Sequence, residues 1–296
     1  PEPVPGQVLL SVVPVWRINL FEGPLLTGEH RVDWIIDKGN SVLESNEENN
    51  SLSLDIVIPA SRIRTAVDQP DEMDLTVHLA YVLPADGVDE QWDINGTIES
   101  IVASMQDWLR ERTRGQRLRL DSKDGTLDIT FFRLQMTRDQ IAEAAFTWQP
   151  VVDELYAEGF DDPTKIYAIW YPYPGRVGDL EVCGFQSTRD GVRFAFSFFE
   201  RVGPPKPNRC VDQHTTMLHE LFHAFGAVSP CAPNYLGQTW GLPKGHVDDD
   251  PNDLMYGGTQ IGRSIELDTD HKDYFAHGVA GCSDTANSPY LEPRGE

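Results

Sequence analysis

The chain has 296 residues, enough for two domains or for one domain of about 200 residues with a smaller module beside it. Asp and Glu outnumber Lys and Arg by 47 to 24, which gives a formal net charge of -23 at pH 7. A charge of this sign repels nucleic acid phosphates and anionic lipid, and no apolar run reaches the ~18 residues of a membrane helix, so no nucleic acid partner and no membrane span are expected. The start at Pro1, without an initiator Met or a signal peptide, predicts a processed amino terminus.

Residues 1–60 are predicted to form a small all-β module. Its strands are expected at Gln7 to Val13, Glu29 to Ile36 and Leu52 to Ile58, separated by Gly- and Asn-rich turns. The segment from Asp37 to Asn50 resembles the end of CARDB-type adhesion modules, which are extracellular β-sandwiches, and the resemblance implies a partial or truncated sandwich. Its carboxylates and amides are typical of a polar hairpin turn, although they could also chelate Ca2+.

Residues 61–296 are predicted to alternate strands and helices, which indicates an α+β fold with a mixed sheet. The strands are expected at Asp74 to Pro84, Leu127 to Leu134 and Lys165 to Tyr171. The last of these is mostly apolar, as is typical of a central strand. Apolar residues at helical spacing predict a helix from Thr97 to Arg112, and Thr137 with Gln140 predicts a capping box at the start of another.

Two histidines and a glutamate at a short spacing carry the strongest chemical signal. His219 and His223 are four residues apart, so on a helix both imidazoles project from one face and can bind one tetrahedral Zn2+ ion. Glu220 is displaced around the helix, where its carboxylate can act on a water at the metal as general base. The alternative is that both histidines are ordinary buried residues, which is costly with a glutamate between them.

The run from His219 to Gly226 resembles the metzincin clan of zinc metallopeptidases, which is described by H-E-x-x-H-x-x-G-x-x-H and a downstream Met-turn. Gly226 suits the end of a helix because it can adopt positive φ. The resemblance implies a twisted mixed sheet, an active-site helix and a C-terminal subdomain, with Met255 as the Met-turn residue beneath the metal. The expected function is that of a zinc-dependent endopeptidase acting on a peptide or protein substrate.

The third metal ligand departs from the common metzincin pattern. Ser229 stands where the third histidine is expected, and serine is a poor zinc ligand. Leishmanolysin-like metzincins carry an insertion before that histidine, and by this resemblance the third ligand is His246. Asp248 is a rival ligand and Asp253 a more distant one, while the acidic run around them is also typical of a solvated or Ca2+-binding loop.

Tyr256 follows the Met-turn residue directly, one position earlier than the catalytic tyrosine of some metzincins. Packing is therefore the favoured role for Tyr256, and stabilisation of the transition state is the second. A gluzincin-type peptidase is an alternative, in which Glu266, in the pattern Glu266 to Asp270, would be the third ligand. A further alternative is an extracellular binding or adhesion protein with a catalytically degenerate peptidase domain.

The strand before the active-site helix is predicted from Val192, Phe194, Phe196 and Phe198, which alternate along the chain. This pattern is interpreted as an edge strand, and by resemblance to metzincins it would bind an extended peptide through main-chain hydrogen bonds.

Four cysteines without a Cys-x-x-Cys pair predict two disulfides rather than a Cys zinc site. Three pairings are possible. Cys183 with Cys210 and Cys231 with Cys282 are favoured because each closes a loop beside the predicted active site. Disulfides of this kind indicate a secreted, extracellular protein.

Overall fold

The structure, a computed structural model, describes residues 28–35, 51–58, 63–198, 212–237, 245–258, 260 and 262–293. The chain forms two compact units, Pro1–Arg62 and Ile63–Glu296. Within the described residues, no helix has both the length and the apolar character needed to cross a membrane.

The first unit contains two antiparallel strands, β1 (Gly28–Ile35) and β2 (Ser51–Ile58). Gly28 lies opposite Ile58 and Ile35 lies opposite Ser51, so the strands are fully paired. The two strands predicted here are confirmed to within one residue. The predicted strand from Gln7 to Val13 and the CARDB-like segment from Asp37 to Asn50 lie outside the described residues, so that resemblance stays a prediction.

The second unit combines helices with short and long strands. Its first eight elements are β3 (Thr76–Leu83), α1 (Thr97–Arg112), β4 (Arg117–Leu118), β5 (Ser122–Lys123), β6 (Thr126–Leu127), β7 (Ile129–Arg133), α2 (Arg138–Ala142) and α3 (Trp148–Ala157). The later elements are β8 (Lys165–Tyr171), β9 (Gly175–Val177), β10 (Leu180–Val182), β11 (Gly184–Arg189), β12 (Val192–Phe198), α4 (Gln213–Phe225), β13 (Tyr235–Leu236), β14 (His246–Val247), a short 3-10 turn (Thr285–Asn287) and β15 (Leu291–Glu292).

Five strands form the central sheet, in the order β11-β12-β8-β3-β7. Neighbours are parallel except for β11 and β12, which are antiparallel, so the sheet is mixed and the fold is α+β. The strand predicted at Lys165 to Tyr171 is confirmed as β8, and it pairs on both sides as expected of a central strand. All seven of its residues are buried, because helices cover both faces of the sheet.

The prediction that β12 is an edge strand is wrong. β12 pairs with β11 on one side and with β8 on the other, and among the described strands the two edges of this sheet are β11 and β7. The alternation of phenylalanines reflects two buried faces, since every residue of β12 except Arg193 is buried. β3 is likewise buried at all eight of its positions.

The two faces of the sheet are covered by different helices. Helices α1 and α4 share one apolar cluster with Val77, Leu79 and other alternate residues of β3, and α3 shares the opposite cluster with Ala80 and Val82. The burial of each large aliphatic side chain in such clusters stabilises the fold by ~1.5–3 kcal/mol. Helix α4 is therefore fixed along one face of the sheet, where it carries the histidine motif.

Two local predictions are confirmed in the helices. Helix α1 spans Thr97–Arg112 as predicted. The capping box at α2 is present: the Thr137 hydroxyl accepts the Gln140 N–H at 3.4 Å, and the Gln140 side-chain oxygen accepts the Thr137 N–H at 2.8 Å.

The disulfide predicted between Cys231 and Cys282 is also confirmed, with Cα atoms 5.9 Å apart. It ties the loop after α4 to a segment 51 residues further on. Cys210 lies outside the described residues, so its pairing with Cys183 stays a prediction.

Candidate metal centre

Helix α4 is fixed at both ends by contacts that its sequence specifies. The Asp212 carboxylate accepts the Thr215 N–H at 2.9 Å, which caps the first turn. At the other end the helix stops at Gly226, whose φ of 92° is the left-handed conformation that glycine adopts without strain. The Arg193 guanidinium on β12 donates to the Ala224 carbonyl at 3.2 Å, which places a positive charge at the negative end of the helix dipole.

Three histidine rings converge beside this helix. His219 and His223 lie one turn apart on α4, and His246 comes from β14, which pairs antiparallel with β13. The Nε2 atom of His219 lies 3.1 Å from that of His223 and 3.1 Å from that of His246, and the third separation is 3.3 Å. The structure thus brings together the three histidines that the sequence suggests as ligands.

The Nε2 atom of His219 presents a lone pair to the other two histidines. The Nδ1 atom of His219 lies 2.5 Å from the Leu254 carbonyl oxygen, which can only accept a hydrogen bond, so Nδ1 bears the proton and Nε2 is free of it. Burial, followed by the charge of His246, lowers the pKa of His219 to about 3. Burial, followed by the charges of the other two histidines, lowers the pKa of His223 well below its ordinary value. These neutral imidazoles are suited to bind a cation.

The spacing of the three nitrogens fits a zinc ion. With Zn–N bonds of ~2.0–2.1 Å, two nitrogens of a tetrahedral site are about 3.3 Å apart, and the three observed separations lie close to that value. Three protein nitrogens leave the fourth position of a tetrahedron open, which is the arrangement of catalytic zinc sites. His219, His223 and His246 would hold the metal.

Glu220, which follows His219 on the helix, is buried, with 6% of its surface exposed. Burial raises the pKa of its carboxyl well above the ordinary value. The first residue of β11, Gly184, lies directly against this carboxylate: a Cβ atom at position 184 would be 2.5 Å from the Glu220 Oε1 atom. Only glycine leaves room for the carboxylate there. The sequence contains no local signal for this contact, since 36 residues separate the partners along the chain.

The segment predicted as the Met-turn is hydrogen-bonded to His219 and to the strand that carries His246. Met255 is fully buried in the apolar cluster that also contains Leu218 and Phe222 of α4. The Met255 carbonyl accepts the Val247 N–H at 2.9 Å, so the turn is bonded to the strand that carries His246. Sequence analysis missed the Leu254 carbonyl, the partner of His219, because residue type predicts nothing about a backbone oxygen.

The rival ligands do not join the three histidines. Asp248 is exposed and lies outside the group. Glu266 bonds Arg112 at 3.1 Å, and its segment pairs with Asp253 in a β-bridge instead of forming the helix that a gluzincin site requires. The Ser229 carbonyl accepts the Ala232 N–H at 2.8 Å in a turn after α4.

Two further residues on the predicted list have other surroundings. Tyr256 is half-buried, and its N–H donates to the Asp253 carbonyl at 3.1 Å, so its role in the reaction stays a prediction. The carboxylate of Asp253 accepts from the Tyr274 hydroxyl at 2.9 Å and from the Thr269 N–H at 3.0 Å. Asp253 therefore has hydrogen-bond partners of its own, apart from the three histidines.

Two other groups of metal-binding residue types occur among the described residues, and in both a Lys ammonium contacts a carboxylate. Lys165 lies 2.9 Å from Asp121 in the group that also contains Asp68, His78 and Asp128. Lys272 lies 2.7 Å from Asp270 in the group with Asp249 and Asp273. The histidine group is of a different kind, because its converging atoms are imidazole nitrogens and not carboxylate oxygens.

The comparisons with known proteins leave the family open. No model of a known family matches the sequence, and no curated protein is significantly similar to it. Among solved structures, the chain is similar to the crystal structure of wild-type OgpA from Akkermansia muciniphila, with 13% identity and a TM-score of 0.40. The match covers 70% of this chain and 60% of the OgpA chain. A likeness of this size carries no inference about fold or chemistry.

Proposed function

We propose that the protein is a secreted zinc-dependent endopeptidase with a metzincin-like catalytic unit. The observation that carries the proposal is the convergence of three histidine Nε2 atoms, 3.1–3.3 Å apart, beside the buried carboxylate of Glu220. The buried Met255, the end of α4 at Gly226 and the antiparallel edge strand β11 support the metzincin-like assignment. The Cys231–Cys282 disulfide supports an oxidising, extracellular location.

In this proposal the histidines hold the zinc ion and Glu220 transfers the proton. When bound, a zinc ion supplies Lewis-acid activation of a water molecule and of a peptide carbonyl. Glu220 accepts the proton of the attacking water and delivers it to the leaving amine. Burial raises the pKa of the Glu220 carboxyl, which favours the protonated form that donates to the leaving amine.

The edge strand β11 is a candidate binding site for an extended peptide substrate. β11 lies at the edge of the described sheet, and its Gly184 is in contact with the Glu220 carboxylate. A peptide that pairs with β11 in extended form would therefore pass beside the catalytic base. Main-chain pairing accepts many sequences, so side-chain pockets would set the selectivity. The peptide-binding strand predicted at β12 is accordingly reassigned to β11 in this proposal.

The proposal is tested by the metal content of the full chain and by the variant Glu220→Gln. We expect about one Zn2+ per chain, hydrolysis of an unstructured protein substrate, and a ~100- to 10,000-fold loss of rate in Glu220→Gln with its zinc retained. A wild-type chain that binds no Zn2+, or a Glu220→Gln variant with unchanged rate, would overturn the proposal.

A second pair of variants separates the candidate third ligands. His246→Ala should weaken Zn2+ binding strongly, while Glu266→Ala should leave it unchanged, because the Glu266 carboxylate is exposed and bonded to Arg112. Loss of zinc in Glu266→Ala alone would favour the gluzincin alternative.

A further inference from the structure

We infer that Asp253 is a positioning residue of the metal centre, acting with Tyr274 through the Leu254 peptide on His219. The inference rests on the proposed zinc site and assigns to Asp253 a role other than that of a ligand. It follows from a continuous chain of hydrogen bonds between described atoms.

The first link is the Leu254 carbonyl, which accepts the Nδ1 proton of His219 at 2.5 Å. This bond sets the tautomer and the rotation of the ring, and both must be correct for Nε2 to face His223 and His246. The direction of the carbonyl is therefore part of the metal centre, although Leu254 contributes only its backbone.

The second link holds the peptide groups on both sides of the Leu254 Cα atom. The Leu254 N–H donates to the Glu266 carbonyl at 2.8 Å, and the Met255 N–H donates to the Asp253 Oδ1 atom at 2.7 Å. The carbonyl of Leu254 and the N–H of Met255 belong to one planar peptide. The Asp253 carboxylate, by binding that N–H on one side, aims the carbonyl at His219 on the other.

The third link fixes the carboxylate itself. Its Oδ1 atom also accepts the Tyr274 hydroxyl at 2.9 Å, and Oδ2 accepts the Thr269 N–H at 3.0 Å. The Tyr274 hydroxyl in turn accepts the Asp268 N–H at 2.7 Å. Asp253 and Tyr274 are 1% and 0% exposed, so water does not compete for these bonds.

The same turn also reaches the third histidine. The Met255 carbonyl accepts the N–H of Val247, the residue after His246, and the Val247 carbonyl accepts the Gly257 N–H at 3.1 Å. A displacement of the turn would therefore move His246 together with His219. Loss of the Asp253 carboxylate should loosen two of the three ligands.

The experiment measures metal binding by the full chain after its metal has been removed. Zn2+ is titrated in competition with a chromophoric chelator, and the Co2+ absorption spectrum is recorded at saturation. We expect Zn2+ affinity to fall ~10- to 100-fold in Asp253→Ala, as for other residues that orient metal ligands, with a changed Co2+ spectrum. Tyr274→Phe removes one hydroxyl from the chain of bonds and should give a smaller loss in the same direction.

The matched control is Asp121→Asn, which removes a carboxylate that is also 1% exposed but contacts His78 and Lys165. This variant should lose stability and keep wild-type Zn2+ affinity and Co2+ spectrum, so a general loss of stability is distinguished from a positioning effect. If Asp253→Ala does not fold, Tyr274→Phe decides the matter.

The inference is overturned if the folded variants of Asp253 and Tyr274 bind both metals as the wild type does. A wild-type chain that fails to bind Zn2+ gives a different result, because it refutes the proposed function itself.

Discussion

Two clusters of titratable side chains in the second unit differ in whether they contain a cation of their own. In the Lys165 cluster, one ammonium lies 2.6 Å from Asp68, 2.5 Å from Asp71 and 2.9 Å from Asp121. In the histidine cluster, burial lowers the pKa of His219 and of His223, and the Nε2 atoms of these two residues lie 3.1 Å apart. The first cluster supplies its own cation and is structural, whereas the second has the composition of a site for a cation from outside.

The largest expected effect comes from removing the internal cation. Lys165→Met leaves the carboxylates of Asp68, Asp71 and Asp121 without their ammonium, so the free energy of unfolding should fall by ~3–5 kcal/mol. Urea unfolding of the metal-free chain measures this loss. The control is Lys272→Met: that lysine is 63% exposed and lies 2.7 Å from Asp270, so its loss should produce no measurable change. Equal effects of the two substitutions would contradict the structural role of Lys165.

The next effect concerns the base beside the histidine cluster. In Gly184→Ala the new methyl group would overlap the Glu220 carboxylate, so the base must shift and kcat/KM for peptide hydrolysis should fall ~10- to 100-fold. Zn2+ affinity should remain unchanged, because Gly184 faces Glu220 and not the histidines. Gly237→Ala is the control, since a Cβ atom there would meet the Tyr235 ring only at 4.0 Å. Undiminished hydrolysis by Gly184→Ala would show that the carboxylate is not held in this position.

The smallest effect is a pH dependence confined to the Lys165 cluster. Burial acts to raise the pKa of Asp121, but hydrogen bonds from His78 and Lys165 outweigh it, and the pKa lies below its ordinary value of 3.8. A carboxyl whose pKa is lower in the folded state stabilises the fold above pH 3.8, and this contribution disappears as the pH falls through the folded-state pKa.

The amide introduced by Asp121→Asn does not titrate in this range, so the deficit of that variant relative to wild type should shrink by roughly 1 kcal/mol as the pH falls below that value. Unfolding curves recorded at a series of acidic pH values measure it. A deficit that is constant with pH would indicate that Asp121 is not ionised in the folded chain.

Much of the fold of the second unit follows from local patterns. Helix α1, the capping box at Thr137 and the central strand β8 were predictable because propensity, capping and burial all act over a few residues. The edge position was not predictable in this way. A strand buried on both faces shows the same alternation of side chains wherever it lies, so only the pairing of β11 with β12 decides which of them is at the edge.

In the candidate site, too, some residues follow from local sequence patterns and others only from tertiary contacts. His219, Glu220 and His223 were predictable because helical spacing puts both histidines on one face, and the resemblance to leishmanolysin-like enzymes singled out His246 across a long insertion. Asp253 was only a ligand candidate by residue type. Its orientation towards Tyr274 and Met255 depends on contacts between segments up to 21 residues apart, which no local pattern encodes.

The sequence by itself determined a motif helix that ends at Gly226, with its two histidines and its glutamate, because helical periodicity and a helix-ending glycine are local properties. The tertiary structure decided what surrounds that helix. It placed His246 within 3.3 Å of His223, Gly184 against Glu220 and the Leu254 carbonyl against His219, because these contacts depend on how distant segments pack together.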